Sequence, residues 1–259
     1  MKLPLVARNN GYNPIAKEAS SMMMDIGLVK LIAGQVYEIN SSSQESVFLL
    51  LEGQVDFAWD DRHVTASRLD LFMEKPSVLH VSRQVAVKVT ALTDAELILQ
   101  QATNAMKFLS RYYSPSDSRV ETVWKDYFDG CAVRDVVTTI DYSVNPLSKL
   151  VIGEVINHPG KWSSFIPHSH PQPEVYFYRF DAPQGFGAAF ADDEVFKSVD
   201  YSYSSIEGGK THPQVAAPGY AMYFCWMIRH FDGNPWNSRI DDPAHTWLIE
   251  KDVKLWPNK

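Results

Sequence analysis

The chain holds only two cysteines, Cys131 and Cys225, far apart in its 259 residues. So few exclude a disulfide framework and suit a reducing cytoplasm, so both are expected to be buried as small hydrophobes. Basic runs are absent, and 24 Lys and Arg against 31 Asp and Glu leave a formal net charge of −7. That lacks the electrostatic footprint of a nucleic-acid or anionic-membrane binder and makes small solutes the expected partners. Long hydrophobic runs are missing too. The longest, residues 220–228, is about half of what a bilayer-spanning helix requires. The apolar residues before Arg8 are too few for a secretory signal. A soluble protein without membrane or nucleic-acid partners is expected, with a homo-oligomer left open.

Helical periodicity is scarce, and no identical repeat or low-complexity segment occurs. What is present is strand signal: short β-branched and aromatic runs between clusters of Gly, Pro, Asn, Asp and Ser. In the first half these are 27–33, 46–51, 54–59, 78–82, 85–92 and 95–100, with Glu52-Gly53 and Asp60-Asp61 as turn signals. The apolar run Val47-Phe48-Leu49-Leu50-Leu51 reads as a buried strand entering a hairpin at Glu52-Gly53. Segment 103–113 carries the best helical pattern of the chain, and the linker-like 114–118 follows it. The second half repeats the style at 133–139, 149–158, 174–180, 186–190, 198–204 and 220–227. The expected architecture is all-β, two tandem barrels of similar length spanning 1–115 and 116–259.

Chemistry concentrates in the second half. His168-Ser169-His170, then Glu174, then His212 supply three imidazoles and a carboxylate. Histidines at i and i+2 project from one face of a strand and can share an ion. Such a set suits one divalent Zn, Mn, Fe, Ni or Co ion, and four ligands on a six-coordinate metal leave two positions for substrate. The first half has only His63 and His80, with no carboxylate at ligand spacing, so no metal is expected there and a structural or dimerising role suits it.

This signature, His168-x-His170-x3-Glu174 with a later His212, resembles that of the cupin superfamily, whose small β-barrels hold these four ligands in the barrel mouth. A closer resemblance is to the 5-deoxy-glucuronate isomerase family of inositol catabolism. It runs through Gly160-Lys161-Trp162-Ser163-Ser164-Phe165-Ile166-Pro167, Glu174 to Phe180, Gln184-Gly185-Phe186-Gly187, Asp192-Asp193, His212-Pro213, Ala216-Ala217-Pro218-Gly219-Tyr220 and Asp242-Pro243-Ala244-His245-Thr246-Trp247. Weaker stretches in the first half extend it over most of the chain. The resemblance implies a two-barrel cupin with an intact C-terminal metal site and a degenerate N-terminal one. Where that family carries a longer acidic insertion this chain has only Pro171-Gln172-Pro173, where it has Tyr before His-Pro this chain has Thr211, and where it has a Gly-Asp turn this chain has Gly208-Gly209.

The implied chemistry is aldose–ketose isomerisation of a deoxy-uronate-like acid sugar, which moves hydrogen between adjacent carbons and between their oxygens. Glu174 is assigned as ligand rather than base. Strand parity puts Tyr176 and Tyr178 on the face of Glu174, as candidate catalytic phenols, and turns Arg179 away. Lys161 and Tyr223 are the candidate substrate-binding residues. The related ketol-isomerase of pectin breakdown, a cupin dioxygenase and a non-catalytic sugar-binding cupin are the alternatives.

Overall fold

The computed structural model describes residues 1–250 and 253–257. Strands dominate, and the helical elements among the described residues are three short 3-10 turns. No described helix is long and apolar enough to cross a membrane.

Two barrels follow one another. The first is organised on a sheet in the order Gly11–Ala16, Asp25–Leu31, Ala95–Thr103, Gln44–Trp59, Val78–Val81 and Arg111–Tyr113. Its far side is made by Val36–Asn40, Ala86–Ala91 and Arg62–Arg68. The second has a six-stranded sheet: Arg119–Val123, Arg134–Ile140, Leu150–Asn157, Met222–Arg229, Glu174–Phe180 and Tyr203–Ile206. Facing it are the sheet of Trp162–Ser163, Gln214–Ala216, Phe186–Ala191 and Glu194–Val199, and the short pair His168–Ser169 with Ile240–Asp241. In both large sheets the last long strand of the unit lies between an early strand and a middle one, so the halves share a topology without sharing a motif.

Period two sorts each strand between two cores. Val47, Leu49 and Leu51 join Val175, Phe177, Tyr223, Cys225 and Met227 in a core where the two large sheets pack face to face. Their neighbours point the other way. Phe48 and Leu50 fill the first barrel, and Tyr176, Tyr178, Phe224 and Trp226 line the interior of the second. The shared core also buries charge. Arg68 and Glu154, each 1% exposed, pair at 2.7 Å, and Tyr223 Oη donates to Glu154 at 2.6 Å. The N-terminal residues tie across as well, with Lys2 bridging to Lys197 and Leu5 to Ser202.

Four sequence expectations need correction. Segment 103–113 is not a helix: Thr103 ends one strand, 104–110 is irregular, and Arg111–Tyr113 is a strand. Tertiary anchors override its pattern. Asn104 Nδ2 donates to Glu45 and to Leu147 O, its Oδ1 accepts from Met106 N, and Phe108 stacks on His80. The expected hairpin at Glu52-Gly53 is absent, because Gln44–Trp59 runs through it as one strand with a register shift between Leu50 and Glu52. Gly53, at φ +99, lets the strand bend between sheets where a Cβ would meet Asp94 O at 2.3 Å. The expected strand 198–204 is two, Glu194–Val199 and Tyr203–Ile206. Between them Asp200 accepts from Arg179 Nε and Phe180 N, and Tyr201 takes a positive φ. Finally, Cys131 is exposed while Cys225 is buried, and both are free.

Candidate active site and metal centre

The site is assembled by chain segments whose backbone is constrained by prolines, close glycine packing and hydrogen bonds. Prolines at 167, 171 and 173 restrict φ and remove backbone donors around the short strand His168–Ser169. The three-residue spacer is locked: Gln172 Nε2 donates to Asn234 O at 2.8 Å. Gly209 N donates to His170 O, and Gly208 passes so close to Pro171 that a Cβ there would lie 1.9 Å from its carbonyl oxygen. This explains the glycine pair. Thr211 has its own role, since its backbone and side chain both bond Asp192 Oδ1, holding the turn that delivers His212.

All three histidines use the same arrangement. Nδ1 of His168 donates to Ile166 O at 2.8 Å, that of His170 to Gln172 O at 2.9 Å, and that of His212 to Lys210 O at 3.0 Å. A carbonyl only accepts, so these contacts fix the tautomer and leave each Nε2 as a lone pair. Glu174 Oε2 stands 3.2 Å from the Nε2 atoms of both His170 and His212. Neutral imidazoles would meet this carboxylate acceptor to acceptor, so a cation belongs between them, either a proton on Nε2 or a metal ion in its place. The donor set therefore fits a divalent metal. His170, Glu174 and His212 are the only group among the described residues whose ligand atoms all lie within 4.8 Å of one another. His168 stands beside them, its ring 5.0 Å from that of His212.

Burial lowers the pKa of the His212 imidazole, but the bond and charge of Glu174 outweigh it and hold it above its ordinary value, so a metal would displace a proton there. Burial pushes the Glu174 carboxyl up, but hydrogen bonding and charge from His170 and His212 bring it down to about 2. Burial, then the charges of His212 and Arg239, lower His168 to about 3. Glu174 is thus a carboxylate and His168 a neutral imidazole at neutral pH, the forms that bind a metal.

These residues open into a cavity of about 500 Å³ lined by His168, His170, Glu174, Tyr176 and His212 on one side and by Trp124, Phe224, Trp226 and Trp236 elsewhere. Tyr176 is within reach, with its ring 5.9 Å from that of His212 and its hydroxyl 3.2 Å from Ser164 Oγ. Burial and the charge of Glu174 raise its pKa well above the usual phenol value, so it stays protonated.

The other three candidates are not brought to the cavity. Tyr178 lies deeper on the same strand face, where its hydroxyl meets Ser204 and donates to Gln214 Oε1 at 2.8 Å. Tyr223 has the opposite parity and serves the inter-barrel core through Glu154. Lys161 is half-buried, does not line the cavity, and contributes its backbone carbonyl to Asn157. Arg179 faces away as parity requires and pairs with Asp200 and Glu96.

Two cavity residues are not among the sequence candidates, although Arg134-Asp135-Val136 with Gly130 is one of the stretches similar to the family. Arg134 begins Arg134–Ile140, and Arg239 precedes Ile240–Asp241. Neither sits near a ligand in sequence, and only barrel closure brings them in.

Fold and site together define a two-barrel cupin whose second barrel holds a His, His and Glu group, among the described residues, that could bind a metal. The chain belongs to the KduI/IolB family, whose sequence pattern matches residues 5–248. Curated relatives include the 5-deoxy-glucuronate isomerases of Bacillus licheniformis, 25% identical over 250 residues covering 88% of each chain, and of Geobacillus thermodenitrificans, 27% identical over 243 residues covering 85% of this chain and 84% of that one. Among solved structures, an IolB-like protein from Salmonella typhimurium LT2 superposes with a TM-score of 0.86 at 21% identity, covering 96% of this chain and 100% of the other. Oxalate decarboxylase of Lactobacillus farciminis shares the fold at a TM-score of 0.66 and 11% identity, covering 91% of this chain and 85% of that one.

Proposed function

We propose that the protein is a metal-dependent aldose–ketose isomerase acting on a deoxy-uronate-like acid sugar, as 5-deoxy-glucuronate isomerase does in inositol catabolism. The observation that carries the reading is the set of three buried histidines, each with Nδ1 on a backbone carbonyl, gathered with Glu174 at one cavity. The isomerase names of the curated relatives supply the reaction class. Two free cysteines are in keeping with a cytoplasmic setting.

The reaction passes through an enediol-like species with negative charge on oxygen. A divalent ion held by His168, His170, Glu174 and His212 would stabilise that charge as a Lewis acid. The protein's own groups do the rest. Backbone carbonyls hold the imidazoles in one tautomer, so the ligands need little reorganisation. Glu174 faces two imidazoles and is committed as a ligand, leaving it unsuited to act as base. The Tyr176 hydroxyl, protonated and oriented by Ser164, is positioned to donate a hydrogen bond to a sugar oxygen as its charge changes. The apolar walls Trp124, Phe224 and Trp226 cover the carbon faces of a sugar and keep water off the intermediate.

The test is metal analysis of the purified protein followed by incubation with a panel of deoxy-uronates, watching aldose-to-ketose conversion by NMR. Conversion by metal-loaded protein and its loss after chelation are expected. No conversion of any acid sugar by metal-replete protein would sink the isomerase reading, and oxygen uptake with bound iron would move the protein to the dioxygenases.

A further inference from the structure

The metal-site cavity contains a buried cation that the protein itself does not neutralise. Arg134 is 5% exposed. The bond it makes within the described residues is from Nη1 to Ala132 O at 3.1 Å, and no carboxylate there lies within ion-pair distance of its guanidinium. The other buried arginine of the molecule is treated very differently: Arg68 has both Glu154 oxygens and three backbone carbonyls. A buried charge is costly unless it is paired, so an arginine left short of partners in a cavity implies a partner that comes and goes. Arg239 lines the same cavity, and its guanidinium is only partly engaged, through Nε to Asp241 at 2.9 Å. Burial, then the like charge of Arg239, lowers Arg134 to about 10, so it remains a cation at neutral pH. Glu121, the cavity's carboxylate besides Glu174, stands on an exposed part of Arg119–Val123 and leaves Arg134 unpaired.

We propose that Arg134, with Arg239 beside it, is the subsite that binds the carboxylate of the ligand, so that an acid sugar lies with its anionic end on the guanidinium and its carbonyl end toward His170, Glu174 and His212. The fork of an arginine matches a carboxylate through two parallel N–H bonds, which fixes orientation as well as charge. The inference deepens the isomerase reading and rests on it for the sugar, but not for the anion site itself.

Calorimetric titration of the metal-loaded protein separates the two. The probes are glucuronate, its uncharged methyl ester and glucose 6-phosphate. Wild type is expected to prefer glucuronate over the ester by roughly 10- to 100-fold, the range for a hydrogen-bonded charge pair. Arg134→Gln should erase that preference with its metal content unchanged, and Arg134→Lys should recover part of it. Because Gln removes an uncompensated buried charge, the Tm of the ligand-free variant should be no lower than that of wild type. Equal binding of acid and ester by wild type, undiminished selectivity in Arg134→Gln, or a preference for the phosphate would overturn the carboxylate subsite. So would a loss of selectivity that comes only with a lower Tm, which would make Arg134 a structural residue. Selective glucuronate binding without turnover of any acid sugar would leave the subsite standing and remove the isomerase.

Discussion

The two barrels repeat one sheet order and fill it with opposite chemistry. In the first, Phe48, Leu50, Phe57, Trp59, Leu97 and Leu99 meet in the interior and pack it with side chains. In the second, the corresponding strands present Glu174, Tyr176, Phe224 and Trp226, and segments around His168 and His212 add imidazoles about an open cavity. The difference separates two tasks that a single barrel would have to compromise between. A filled interior stabilises by burying apolar surface, at about 25 cal/mol per Å². A hollow one lined with charge carries desolvation costs that only a ligand can offset. The face-to-face core between the sheets then lends the stability of one barrel to the other.

Histidine substitutions test this division most severely. His170→Ala in the second barrel should abolish tight metal binding and cost several kcal/mol of transition-state stabilisation, on the order of a thousandfold in kcat/KM. Metal content by elemental analysis and turnover by NMR read both effects. His80→Ala in the first barrel should leave metal content unchanged, since His80 pairs with Glu45 at 2.8 Å rather than facing a cavity. Loss of metal in the His80 variant would mean that the barrels are not chemically separate.

Next in size is the seam between barrels. Arg68→Ala strands Glu154 in the shared core, where both charges are 1% exposed, and should cost about 3–5 kcal/mol by chemical denaturation. Replacing both partners at once, as Arg68→Met with Glu154→Leu, should recover much of that loss, because a buried pair contributes little over an apolar pair of similar shape. A double variant no better than the single one would show that Tyr223 and the carbonyls bonded to Arg68 matter more than the ion pair.

A smaller effect appears in the pH dependence of stability. Burial raises the pKa of Glu45, but the bond and charge of His80, with bonds from Lys149 N and Ser148 Oγ, outweigh it and hold the carboxyl below its ordinary 4.5. The folded protein therefore binds fewer protons at this site than the unfolded chain. Its contribution is present above the ordinary carboxylate range and is lost as pH falls through the depressed folded value. Each unit of depression corresponds to about 1.4 kcal/mol. Glu45→Gln should flatten the acid limb of a denaturation series between roughly pH 5 and 3, and an unchanged slope would remove Glu45 from the acid-sensitive groups.

How much of this could be read in the sequence depended on whether the determinant was local. The strand Glu174–Phe180 was legible because seven residues alternate around one carboxylate, and His168, His170 and Glu174 because seven consecutive positions hold them all. Arg134 lies in a stretch similar to the family, but neither it nor Arg239 was legible as a cavity residue. They lie far on either side of the ligands, and the antiparallel pairing of Arg134–Ile140 with Leu150–Asn157, together with that of Ile240–Asp241 with His168–Ser169, is what brings them together. Tyr223 shows the limit of parity. The rule fixes which residues share a face, but only the observed pairing of Met222–Arg229 against Glu174–Phe180 says which face is inside. The pattern of 103–113 misled for a related reason, since Met106 and Leu109 within it meet no core and are 49% and 80% exposed.

The smallest effects concern residues near the cavity that do not reach it, and they sharpen the comparison by marking where the active barrel becomes ordinary structure. Tyr178→Phe leaves Ser204 and Gln214 short of a partner in a buried setting, so it should cost about 1 kcal/mol of stability. Its kcat should stay close to that of wild type, in contrast to Tyr176→Phe, whose hydroxyl opens on the cavity. Lys161→Ala should do less still. Its carbonyl, which the substitution retains, holds Asn157 Nδ2 at 2.6 Å and Ala216 N at 3.1 Å, while the side chain stands away from the cavity lining. A change within about 0.5 kcal/mol, or roughly twofold in KM for an acid sugar, is expected on the usual scale of surface substitutions. A tenfold rise in KM would instead bring Lys161 to the ligand and move the anionic end of the sugar away from Arg134.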